Sequence, residues 1–126
     1  MSDVDLLSIL TASPPSAELP PMPIEPAWIT AGNPVARGTV VSQSQDKKMS
    51  SGVWSCEPGE FDWEFGWDEF VHVLEGKVTI TEHGGKSHDL GPGDMAHFPL
   101  GLKAHWVVKE TVRKFFVIRT PEPFEL

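Results

Sequence analysis

The chain has one cysteine, few basic residues and no long apolar run, and each shortage removes a class of protein. A lone Cys56 cannot form an internal disulfide, which is compatible with a reducing compartment. Ten Lys and Arg against eighteen Asp and Glu leave a net charge of −8. Nucleic-acid binding draws most of its affinity from clustered basic side chains, so a nucleic-acid partner is excluded on charge. No apolar stretch approaches the roughly 20 residues that span a bilayer, which excludes a membrane helix. The first residues carry Asp3 and Asp5 where an export leader would carry Lys or Arg. The expectation is a cytoplasmic protein whose partners are a small molecule and a second copy of itself.

What is present is enough for one domain of 126 residues with 40% hydrophobic side chains. Between residues 13 and 26 stand six prolines (14, 15, 20, 21, 23 and 26), which remove backbone donors and fix φ. Residues 1–27 therefore read as an arm and proline-rich linker, and residues 28–126 as the folded domain. Ser2 is placed to cap a short helical turn that gathers Leu6, Leu7, Ile9 and Leu10 on one side, too short to stand alone. Such a turn either frays or packs on a partner subunit.

Beyond Trp28 the pattern changes to short runs of Val, Thr, Phe, Trp and Ile separated by glycine turns. Nine strands are predicted, at 35–42, 51–56, 61–65, 69–74, 77–82, 86–90, 95–98, 105–109 and 112–119. Turns are expected at Glu75-Gly76, His83-Gly84-Gly85, Gly91-Pro92-Gly93-Asp94 and Pro99-Leu100-Gly101. With no room for an ordinary helix between them, the fold class is all-β and antiparallel. Val78-Thr79-Ile80-Thr81 alternates, while Phe115-Phe116-Val117-Ile118 is apolar on both sides, as a strand covered on both faces would be.

The phrase Trp67-Asp68-Glu69-Phe70-Val71-His72-Val73-Leu74-Glu75-Gly76, with Gly91-Pro92-Gly93-Asp94 and Trp106 downstream, resembles the small single-domain cupins. The resemblance covers about residues 28–120, and its branch includes the ureidoglycine aminohydrolase-like and ethanolamine-utilisation proteins. It implies a double-stranded β-helix, or jelly-roll barrel. Glu69 and Gly76 match the first family motif in spacing, and Gly93, Pro99 and Gly101 match the second. The family's metal-binding histidines are missing. Their positions fall on Trp63 and Phe65 (or Asp62 and Glu64 in the longer register) and on Ala104, with His105 displaced by one residue and hence onto the other face. The asparagine position is Val108.

Of four expected ligands only Glu69 remains, so no metal or other cofactor is expected. If a divalent metal were bound, Glu69 would need Glu64, Asp62 or His105. On family parity the inward set is Trp63, Phe65, Glu69, Ala104 and Trp106, with His105 beside it: an aromatic ligand pocket around one carboxylate.

Two classes of function stand open. One is a small-molecule-binding cupin with a degenerate metal site. The other is a small enzyme acting on a nitrogenous or sugar-like metabolite, with Glu69 as acid or base and His97 or His105 as its partner. Glu69 also has a structural reading, as a carboxylate satisfied by backbone amides or a nearby basic side chain. His72 is predicted on the face opposite Glu69, His83 and His88 in solvent, and Lys103 on the rim. Trp28, Trp54 and Trp67 read as core or interface residues, and Cys56 lacks the neighbouring base of a nucleophile.

Overall fold

The computed structural model describes residues 8–12 and 19–126. The proposed cap Ser2, with Leu6 and Leu7, lies outside them, and Ile9 and Leu10 are exposed and not helical. Eight strands form one antiparallel sheet: β1 Ile29–Gly32, β2 Ala36–Gln43, β3 Met49–Cys56, β4 Gly59–Glu64, β5 Asp68–Glu82, β6 Ser87–Leu90, β7 Met95–Phe98 and β8 Lys103–Arg119. A single 3-10 turn, Pro26–Trp28, is the helical element among the described residues. No helix there is long and apolar enough to cross a membrane.

The sheet curls around β8, the 17-residue strand that runs through its middle. Along one edge, the first part of β8 pairs with β4 (Phe61 opposite Trp106) and the last part with β3 (Trp54 opposite Lys114). Its other edge pairs with β5 over nearly the whole length. β5 in turn holds β7 beside Glu69–His72 and β6 beside Val78–Thr81, while β1 extends β4 and β2 extends β3. The result is the jelly-roll barrel that the motifs imply.

One predicted turn and one predicted strand break are absent. Residues 69–74 and 77–82 form one strand, and so do 105–109 and 112–119. Glu75-Gly76 is a bulge within the β5–β8 ladder, where the register shifts three times between Val73 and Val78. A glycine at positive φ serves a bulge as readily as a turn, so the dipeptide does not distinguish them. Gly76 has φ of 89°, and a Cβ there would lie 2.2 Å from the Thr111 carbonyl oxygen. The bend is what lets two long strands serve both halves of the barrel. β1 went unpredicted because Gly32, Asn33 and Pro34 mask so short an edge strand.

Alternation fixes the core. Glu69, Val71, Val73, Val78 and Ile80 of β5 are buried, as are Ala104, Trp106, Val108, Val112, Lys114, Phe116 and Ile118 of β8. Their neighbours point outward, so Phe115 is 39% exposed and the 115–118 run is covered on one face, not two. Phe70, Leu74 and Met95 are exposed with it. In register, Phe70 opposes Val117 and His97, and His72 opposes Phe115 and Met95, so these form one continuous outer patch.

The proline-rich segment packs onto the barrel from Leu19. Leu19 and Ile24 are buried, Met22 donates its N–H to the Ala36 carbonyl, and the Pro20 carbonyl accepts from Gly38 N–H. Proline is tolerated at a sheet edge because its carbonyl still bonds and the residues between prolines still donate. The packed body therefore begins before residue 28.

Candidate functional site

Glu69 is the second residue of β5 and faces inward beneath the curl of the sheet. It is 5% exposed, and both oxygens are engaged. Trp67 Nε1 donates to Oε1 at 2.9 Å, and Lys114 Nζ donates to Oε2 at 2.6 Å. Lys114 opposes Val73 across the β5–β8 ladder and shares the inward parity of Val112, Phe116 and Ile118. Its ammonium stands 4.5 Å from the Trp54 ring centroid and 5.0 Å from that of Trp106. Indole faces are the best aromatic partners for a cation, so the charge excluded from water is met by a carboxylate and two π-faces. Such a pair still carries a large desolvation cost and is weak evidence for a purely stabilising role.

Beside the pair lies a cavity of about 250 Å³. Trp54, Trp63, Phe65, Trp67 and Trp106 supply much of its wall, and Met22, Pro23 and Phe124 approach from the two segments flanking the barrel. Phe61 stacks on Trp106 at 5.5 Å and Phe65 on Phe98 at 4.8 Å, which holds these rings in place. Among the described residues, Trp106 Nε1 is the buried side-chain polar atom left without a hydrogen-bond partner. An unpaired buried donor costs about 1–3 kcal/mol, so it calls for an explanation.

The structure brings Trp63, Phe65, Glu69 and Trp106 to this cavity and places the other expected residues elsewhere. Ala104 is buried but lines a second, outer depression of about 450 Å³, which shares Trp63 with the cavity and is lined as well by Trp28, Asp62, Glu64 and His105. His105 turns outward, with Nδ1 2.8 Å from Asp62 Oδ1 and Nε2 3.2 Å from Glu60 Oε1. The Asp62 hydrogen bond is the main cause that raises its pKa above 6.5; burial opposes it, and the hydrogen bond to Glu60 adds to the rise. His97 is also outside. It opposes Phe70, not Glu69, stacks on the Phe70 ring at 4.4 Å, and lies 3.4 Å from Asp68 Oδ1. Asp68 is held below the usual carboxylate range, first by the Leu100 N–H and then by His97.

Neither histidine can therefore exchange a proton with Glu69, and the pairing of Glu69 with His97 or His105 is set aside. His72 is exposed on the face opposite Glu69, as expected, and His88 bonds Glu82 at 2.6 Å near the His83 turn. Lys103 is exposed at the outer depression. Cys56 is fully buried, and burial pushes its thiol up to about 12, which leaves it without thiolate character.

The cupin metal position does not fit a metal here. Trp63, Phe65 and Ala104 offer no donor atoms, and the remaining ligand, Glu69, already holds an ammonium at 2.6 Å. Asp62, Glu64 and His105 lie across the sheet from it and cannot complete a set. Among the described residues no group of three or more His, Cys, Asp and Glu is placed to hold a metal ion.

The profile of the EutQ-like cupin domain matches residues 43–116, a span from the end of β2 to Phe116 that contains Glu69 and Lys114. The chain belongs to this cupin family. Among solved structures it is similar to a putative ethanolamine utilization protein Q from Salmonella typhimurium, at 24% identity and TM-score 0.60 over 68% of this chain and 69% of that one. A DUF861 family protein from Thermotoga maritima is 42% identical over 51% of this chain and 73% of that one, with TM-score 0.50. A DUF861 protein from Pseudomonas syringae covers 90% of this cupin at 25% identity and TM-score 0.68, matching 46% of its own length. No curated protein matches the chain.

Sequence reasoning missed Lys114, Trp54 and Trp67. The first was detectable: a lysine at inward parity in an otherwise apolar strand is either an error of register or a buried charge needing a partner. Trp67 stands in the bend just before β5 and reaches the Glu69 carboxylate from there.

Proposed function

We propose that this cupin binds a small, mainly apolar metabolite in its interior cavity, with the Glu69–Lys114 pair as the polar anchor. The observation that carries the reading is a buried ion pair walled by tryptophans at the edge of a cavity of about 250 Å³. Apolar walls with a few fixed polar groups are the usual constitution of a small-molecule site. A hydrolytic reading along ureidoglycine aminohydrolase lines finds less support, because Glu69 has neither a metal donor set nor a histidine beside it. The likeness to the Salmonella ethanolamine utilization protein is one of fold and supplies no ligand.

Benzene is a suitable probe of the cavity itself. Saturable binding to the full chain, read from chemical shifts, is expected, with loss of binding in Val40→Trp, which fills the cavity from β2. No binding to the parent chain, or unchanged binding to a folded Val40→Trp, would remove the proposal. Self-association is assigned to the outer patch of Phe70, Leu74, Met95 and Phe115, since a twofold pair needs one self-complementary surface and this one is apolar.

A further inference from the structure

The polar groups of the cavity are unequal in what they still need. Glu69 accepts from Trp67 and Lys114, one donor on each oxygen. Lys114 has three N–H donors and places one on Glu69, leaving the others over the Trp54 and Trp106 rings. Trp106, 3% exposed and part of the cavity wall, has its N–H unpaired. What the wall lacks is an acceptor. Glu69 and Lys114 also cancel in charge, so a carboxylate ligand would bring an uncompensated negative charge into an apolar cavity, and an ammonium ligand a second positive one beside Lys114.

We infer that the ligand is a neutral carbonyl compound whose oxygen accepts from Trp106 Nε1 and from a remaining N–H of Lys114, with its hydrocarbon part against the tryptophans. A carbonyl is acceptor-only, and so adds no donor that the wall would have to satisfy. This deepens the small-molecule reading above and rests on it.

The test uses two ring compounds of nearly the same shape, cyclohexanone and methylenecyclohexane, with the full chain uniformly labelled with ¹⁵N. The Trp106 indole N–H resonance is expected to move downfield with the ketone and to stay unshifted or move oppositely with the hydrocarbon. The ratio of ketone to hydrocarbon affinity should fall about tenfold in Trp106→Phe, the value of one hydrogen bond. The resonance experiment needs no variant, so it holds even if Trp106→Phe does not fold. Binding of both compounds with no selective shift of the Trp106 signal would overturn the carbonyl inference and keep the cavity as a binding site. Binding of neither would overturn both. Tighter binding of cyclohexanecarboxylate than of the ketone would overturn the neutral class alone.

Discussion

Each face of the strands β5 and β8 carries an exception to the ordinary distribution of side chains. Inward stand Glu69 and Lys114, with side chains 7% and 9% exposed. Outward stand Phe70 and Phe115, 48% and 39% exposed. Ion pairs of the outer surface follow the usual rule: Lys77 and Glu110 are 3.8 Å apart and well solvated, and such a pair is worth little. The inner pair is shorter and dry, and so is far costlier to break than to keep. A protein that only needed to fold would gain by exchanging the two sets. That it carries charge inside and large apolar groups outside directs attention to what each face meets.

The largest effect should come from breaking the inner pair on one side. Lys114→Met is expected to lower unfolding free energy by about 3–5 kcal/mol in urea denaturation, since it strands the Glu69 carboxylate. Adding Glu69→Leu should return stability to within about 1 kcal/mol of the parent or above it. A loss under about 1 kcal/mol in the single variant would mean the pair is effectively solvated, and the contrast between the faces would collapse.

The outer patch offers the converse experiment. Phe70→Thr combined with Phe115→Thr should convert a dimer to a monomer by light scattering while changing monomer stability by about 1 kcal/mol or less at each position. A parent chain already monomeric at tens of micromolar would withdraw the assignment of that surface.

The smallest effect concerns the solvated cluster at His105. Because its folded pKa is raised, its contribution is fully present below the ordinary value of 6.5 and is lost as pH rises through the folded value. NMR titration should place the His105 transition above 6.5, and Asp62→Asn should bring it down, Asp62 being the main cause of the shift. A transition at or below 6.5 in the parent chain would remove the cluster as an electrostatic unit.

Much of this architecture was legible from residue order, and the parts that were not share a cause. Alternation and glycine spacing are local properties, so they were enough to reveal the strands and the cupin resemblance, whose parity implied that Trp63, Phe65, Glu69, Ala104 and Trp106 face inward. Partnership is not local. Lys114 lies 45 residues from Glu69, and only the pairing of β5 with β8 brings them together. His97 failed for the same reason in reverse: its strand was identified, but its opposition to Phe70 depends on how β7 registers against β5. Gly76 shows the remaining gap, since the same dipeptide encodes a reversal or a bulge and only long-range pairing selects one.

Met22 and Pro23 on one side and Phe124 on the other reach the cavity from outside the eight strands. Phe124 donates its N–H to the Lys47 carbonyl, its own carbonyl accepts from the Gln43 side-chain amide, and its ring meets Trp67 edge-on at 6.0 Å. On the binding reading proposed above, recognition and passage would fall to different parts of the chain. The sheet would determine which molecule fits, and the two flanking segments would govern how long it stays. Sequence change in those segments would then be expected to alter residence time more than selectivity.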